Sequence, residues 1–204
     1  MLPRFSPFLA FLLLATGYAA GCRPRSEDPL LSKGTPDDPV FTPTSIANTS
    51  YIAAKITAGL DPNLYNDSPT NQDSLLHYAV RHNAEATVAM LLDRGADIEI
   101  RSQGANKTPL FFAAFGHPAI VKLLISRGAD IQAVDLLGNN ALREAIAAGE
   151  ADIVKSLLDA GADPLHHNTD GISMLDLAEK HGTAKIKSLM RDAADRGKPS
   201  ASSS

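Results

Sequence analysis

The sequence predicts an all-α solenoid built from stacked helix–turn–helix units with projecting hairpin fingers. Three observations predict it. The triplet Gly95-Ala96-Asp97 recurs as Gly128-Ala129-Asp130 and Gly161-Ala162-Asp163, at intervals of 33 residues. A second landmark lies upstream: Ser74-Leu-Leu-His-Tyr-Ala79, Thr108-Pro-Leu-Phe-Phe-Ala113, Asn140-Ala-Leu-Arg-Glu-Ala145 and Ser173-Met-Leu-Asp-Leu-Ala178. Its leucines Leu76, Leu110, Leu142 and Leu175 are 34, 32 and 33 residues apart, so two independent landmarks share one period. Apolar residues at helical spacing follow each landmark, as in Ile120, Val121, Leu123 and Leu124 and again in Ile153, Val154, Leu157 and Leu158.

Residues 1–21 read as an address. A short basic start precedes the apolar run Phe8-Leu-Ala-Phe-Leu-Leu-Leu-Ala15, which is too short for the roughly 20 residues that span a bilayer. Ala19-Ala20-Gly21-Cys22 follows, ending on the one cysteine of the chain. This resembles the bacterial lipoprotein signal, in which the thiol takes a diacylglycerol and the peptide is cut before it. Ala19 departs from the leucine preferred there. The resemblance implies a lipid anchor at Cys22 in the bacterial cell envelope, facing the periplasm. Arg23 stands where inner-membrane retention would use Asp, so the outer membrane is favoured. Acyl chains contribute about 0.8 kcal/mol per buried methylene, so several of them hold a protein at a membrane durably.

Residues 22–41 are rich in proline and mixed charge without an apolar period, which marks an extended tether reaching about 60 Å. The repeat domain is expected over residues 42–193, in units of about 42–73, 74–106, 107–139, 140–172 and 173–193. The first unit offers a second helix over Ile52-Ala-Ala-Lys-Ile-Thr-Ala-Gly59 but a weak first one, as an N-terminal half-repeat cap would. The last carries Lys185, Lys187 and Arg191 in place of another apolar face, as a solenoid end requires. Residues 194–204 are polar and small and read as a disordered tail.

Within a unit each residue type has a mechanical reason. Thr108 can cap a helix that Pro109 begins, because the first turn loses no hydrogen bond to proline. Leu110, Ala113 and Ala114 make a face thin enough for close stacking. Gly128 suits a left-handed helix end. Asp130 turns the chain into a finger, and Asp135 and Gly138 close its tip. Departures are local: the unit containing Phe115 is one residue short between Ala114 and Gly116, and the preceding finger is one residue long. The finger between Asp61 and Ser74 is about three residues longer than the others.

The 33-residue period with a Thr-Pro-Leu-His-x-Ala pattern, met in part at Thr108, Pro109, Leu110, His77 and Ala79, resembles the ankyrin-repeat family over roughly residues 42–193. The resemblance implies about four repeats plus the N-terminal cap, and a His77 that hydrogen-bonds backbone between repeats. It also implies binding of a protein partner on the fingers and the concave helix face, by a monomer. The positions that do not maintain the fold are then the candidates. Counting the finger between Asp61 and Ser74 as the first, they are Arg101, Gln103 and Lys107 on the second finger, Leu136, Leu137 and Asn139 on the third, and His167, Thr169 and Asp170 on the fourth. Arg81, His82, Lys180 and His181 stand at first-helix ends. Leu136 and Leu137 are apolar where family tips are polar, and either pack on a neighbouring finger or meet a partner. Phe111, Phe112 and Phe115 either fill the core or anchor a partner, and on a continuous helix 111 and 115 share a face.

Chemistry finds no foothold. Nineteen basic residues against 23 acidic ones give a net charge of -4, which argues against a nucleic-acid role. No nucleophile–base pair or phosphate-cradling loop occurs, so no enzymatic activity, cofactor or metal is expected. His166 and His167 with Asp170 lack a further ligand at suitable spacing and read as solvent-facing finger residues. Asp97, Asp130 and Asp163 read as turn residues. Among envelope ankyrin proteins, the resemblance implies an inhibitor or immunity protein acting on a peptidase or phospholipase. The alternatives are an accessory to oxidative-stress defence alongside a catalase, and a passive spacer; all are analogies at family level.

Overall fold

A computed structural model describes residues 39–66 and 72–196. The expected signal segment, Cys22, the expected tether up to residue 38 and the expected tail from residue 197 lie outside the described residues. Among the described residues ten α-helices form five consecutive pairs: α1 (Pro43–Ala47) with α2 (Thr49–Thr57), α3 (Leu75–Arg81) with α4 (Glu85–Asp93), α5 (Pro109–Ala113) with α6 (Pro118–Ser126), α7 (Ala141–Ala148) with α8 (Ala151–Asp159), and α9 (Met174–His181) with α10 (Ala184–Arg196). First helices pack on first helices along the series α1, α3, α5, α7, α9, and second helices on second helices along α2, α4, α6, α8, α10. The result is a two-layered solenoid.

Alanine makes this stacking possible. Ala79, Ala113, Ala145 and Ala178 are fully buried on successive first helices, where a larger side chain would push neighbouring units apart. The second helices supply bulk: Val88 and Leu91, then Ile120, Val121 and Leu124, then Ile153, Val154 and Leu157, all fully buried. Four first helices begin on a side-chain cap, with Thr42 accepting from Ser45 N–H, Ser74 from His77 N–H, Asn140 from Arg143 N–H and Ser173 from Asp176 N–H. Thr108 does not cap α5, contrary to the sequence expectation. The amide such a cap would take, that of Phe111, donates instead to the Thr108 carbonyl at 3.1 Å, and Pro109 starts the helix.

Each unit then turns in the same way. Gly128 sits at φ +86°, as the glycine after a helix end should. The aspartate two residues on accepts an amide from two residues further along: Asp97 from Glu99 at 2.9 Å, Asp130 from Gln132 at 2.9 Å, Asp163 from Leu165 at 2.8 Å. These are the turn roles read from the sequence. Side chains also stitch turn to turn, with Asn63 Oδ1 accepting from Asp97 N–H and Glu99 Oε1 from Asp130 N–H, both at 2.7 Å.

The ends refine the sequence reading. The last three residues expected in the tether form a 3-10 turn, Pro39–Phe41, with Val40 and Phe41 buried and the Phe41 ring edge-on to Tyr78 at 5.7 Å. The N-terminal cap is a short helix pair tied to its neighbour by buried Thr87, which donates to the Ile46 carbonyl at 2.6 Å and accepts from Thr49 at 3.0 Å. At the other end α10 continues through Arg196, past the expected limit at residue 193, because Ala194 prolongs the buried stripe of Ile186 and Met190.

Candidate interaction surface

The fingers are joined into one ribbon. The Arg101 guanidinium donates to the Asn106 carbonyl at 3.1 Å and across to the Val134 carbonyl at 2.8 Å. His166 Nε2 donates to the Gly138 carbonyl at 2.8 Å, and Thr169 donates to the Leu137 carbonyl through both its amide and its hydroxyl, each at 3.0 Å. Asn139 is buried between Asp135, at 3.4 Å, and Asn168, at 3.3 Å. Gly138 allows the approach: its φ is +70°, and a Cβ there would meet Thr169 N at 3.0 Å. Gly138→Ala is therefore expected to cost about 1–3 kcal/mol in a urea titration, from left-handed strain plus the clash with the next finger. An unchanged midpoint would show the fingers to be more loosely coupled than this geometry implies.

Beside the fingers stands the wall of first helices. Phe112 is half-buried, with the His77 ring edge-on at 5.2 Å and the Arg81 guanidinium 5.5 Å from its centroid. Arg81 also pairs with the buried Asp73 at 2.7 Å. Arg81, Phe112, Phe115 and His117 line a shallow recess of about 220 Å³. Burial lowers the pKa of the His117 imidazole, with Glu150 opposing. Beneath the wall, His77 Nδ1 accepts the Ser74 N–H at 3.2 Å. An amide can only donate, so the ring proton is on Nε2, which donates to the Lys107 carbonyl of the next unit at 3.0 Å. Burial is the main influence on this imidazole, outweighing Asp73 and lowering its pKa to about 4.

A family model described as ankyrin repeats (3 copies) matches residues 46–135, 76–168 and 115–197, which together cover most of the chain. The chain belongs to the ankyrin-repeat family. Its members are protein-interaction scaffolds and generally not enzymes. No curated protein matches the chain.

In this ankyrin-repeat protein the candidates divide sharply. Gln103, Leu136, Leu137, His167, Thr169, Asp170, Arg81, His82, Lys180 and His181 are exposed. Leu136 and Leu137 are 66% and 60% exposed, so their side chains do not pack into a neighbouring finger. Two candidates are corrected. Phe111, 3% exposed, fills the core under the Lys107 ammonium, which lies 4.3 Å from its ring centroid. Asn139, 5% exposed, is occupied in holding two fingers together. Arg101 and Lys107 are half-buried, and the Arg101 guanidinium is spent on backbone carbonyls.

Phe111 and Phe115 do not share a face, because the deleted residue ends α5 at Ala113 and turns Phe115 outward to 66% exposure. His166, read as solvent-facing, is instead a half-buried bridge between fingers. Sequence reasoning missed His117 in the recess and Ile172, 43% exposed on the fourth finger. Ile172 was detectable in register, since it is apolar where the preceding units carry Asp73, Lys107 and Asn139.

Proposed function

We propose that this ankyrin-repeat protein is a lipid-anchored, periplasm-facing binder of the bacterial envelope, held at the outer membrane through Cys22. It neutralises an envelope-acting enzyme, such as a peptidase or phospholipase, by occluding it. The observation that carries the binding surface is the pair Leu136–Leu137, exposed at a finger tip whose backbone is bonded on both sides. Large apolar side chains held outward on a rigid support are the form that interface anchors take. The envelope address rests on Ala19-Ala20-Gly21-Cys22. Tethering raises the inhibitor's concentration at the surface where the enzyme acts.

Two measurements test this. The full chain used as bait against envelope fractions should recover a stoichiometric enzyme and inhibit it. The Leu136→Asp, Leu137→Asp double variant should lose about tenfold or more of that recovery while still unfolding cooperatively. Recovery undiminished in that variant would exclude the third finger. Cys22→Ala should move the protein from the membrane to the soluble fraction, and continued membrane retention would exclude the lipid anchor.

A further inference from the structure

We propose that the third and fourth fingers form one preorganised apolar prong that enters an uncharged, apolar cleft of the partner protein. Thr169 and His166 act as the positioning residues that hold it in shape. The proposal rests on the reading that the fingers bind protein, and adds the kind of surface they fit.

Three large apolar side chains stand on the two tips: Leu136 and Leu137 on the third finger and Ile172 on the fourth. Their backbones are sewn together. The Asn168 N–H donates to the Ile172 carbonyl at 3.1 Å, and the adjacent Thr169 donates twice to the Leu137 carbonyl at 3.0 Å. Each tip is also closed internally by a side chain that takes two amides. Asp135 Oδ1 accepts from Leu137 at 2.8 Å and Asn139 at 2.9 Å, while Asn168 Oδ1 accepts from Asp170 at 3.1 Å and Ile172 at 3.0 Å. With the loops already ordered, little conformational entropy remains to be lost on binding.

Charge decides between the possible occupants. Among the described residues the exposed side chains on these tips carry one charge, that of Asp170, and neither tip bears a Lys or Arg. Apolar patches that settle on anionic bilayers are ringed by basic residues, which the headgroups attract. Asp170 does the reverse. A second copy offers another protruding tip, the recess beside Arg81, or a larger recess of about 620 Å³ on α4 and α6 whose lining includes Glu85 and Lys122; neither recess is an uncharged cleft. A projecting apolar patch with a single carboxylate at its edge complements a concave apolar site, the form that enzyme substrate pockets take.

The test places a photoreactive diazirine analogue of leucine at position 137 of the full chain and maps its cross-links. Cross-links to an uncharged cleft of a captured protein are the expected result. Thr169→Val removes the hydroxyl bond and keeps the amide bond; it should raise the dissociation rate by roughly three- to tenfold with the association rate and melting behaviour unchanged. Cross-links on a flat charged surface, on residues 23–38 of the same chain or on a second copy would overturn the proposal. So would co-flotation of the Cys22→Ala chain with phosphatidylethanolamine–phosphatidylglycerol vesicles that depends on Leu136 and Leu137. Capture that survives Leu136→Asn with Leu137→Asn sinks the prong and leaves the protein-binding reading standing, whereas capture of nothing sinks both.

Discussion

Lowering the pH from 7 to 4 is expected to cost the folded protein about 3 kcal/mol through His77 alone. In the unfolded chain this imidazole titrates at its ordinary value near 6.5; in the fold, burial lowers that to about 4. Between those values the unfolded state binds a proton that the folded state refuses, so acid favours unfolding. The contribution is fully present above the unfolded value, is lost as pH falls toward 4, and flattens below it, where both states are protonated. The refusal has a geometric cause. Protonating Nδ1 would set a donor against the Ser74 N–H, opening the cap of α3 next to the bond to Lys107. His117, also lowered by burial, acts in the same direction. The Glu99 carboxyl, raised chiefly by burial, acts in the opposite one, because its protonation favours the fold. Urea midpoints measured from pH 7 to pH 4 should fall in the native chain and stay flatter in His77→Gln, which starts less stable. Equal slopes in the two proteins would remove His77 as the cause.

Leu124→Ala should produce a loss of similar size, about 3 kcal/mol within the 2–5 kcal/mol usual for emptying a well-packed leucine site. Leu124 is fully buried on α6, which packs between α4 and α8. In a solenoid each unit touches only its neighbours, so damage at the centre weakens two interfaces at once. Unfolding by urea should show a lower midpoint and a broader transition, as the two flanks begin to melt separately. Met190→Ala, on the terminal helix α10, empties a comparable site that has neighbours on one side only, and should fray that end instead. A sharp single transition at the native midpoint in Leu124→Ala would contradict the nearest-neighbour account.

Much of the scaffold is legible in the chain itself. The aspartates at 97, 130 and 163 hold the same turn in every unit because an Asx turn is local, spanning two residues. The alanines at 79, 113, 145 and 178 can be read as a stacking face because helical periodicity places them there before any neighbour is known. The bridging role of His77 is what the resemblance to ankyrin repeats implies, and its hydrogen bonds match that reading. Thr108 shows the limit of such reasoning: residue type and position both favour a cap, yet a competing local hydrogen bond takes the amide.

The candidate surface was less legible, since exposure is settled between units about thirty residues apart. Phe111 and Phe115 are the same residue type four positions apart, and one is in the core while the other is in solvent. The difference arises because a single missing residue ends α5 early. Asn139 and His166 look like free polar tip residues until the neighbouring finger is brought alongside, where each meets a partner 28 or 29 positions away. The amino-acid order alone determined the period, the helical hairpin and its turns, because those depend on contacts within a few residues or on a register that repeats. Only the stacked structure decided which side chains remain outward, because one unit's solvent-facing edge is covered or left open by the unit that follows it.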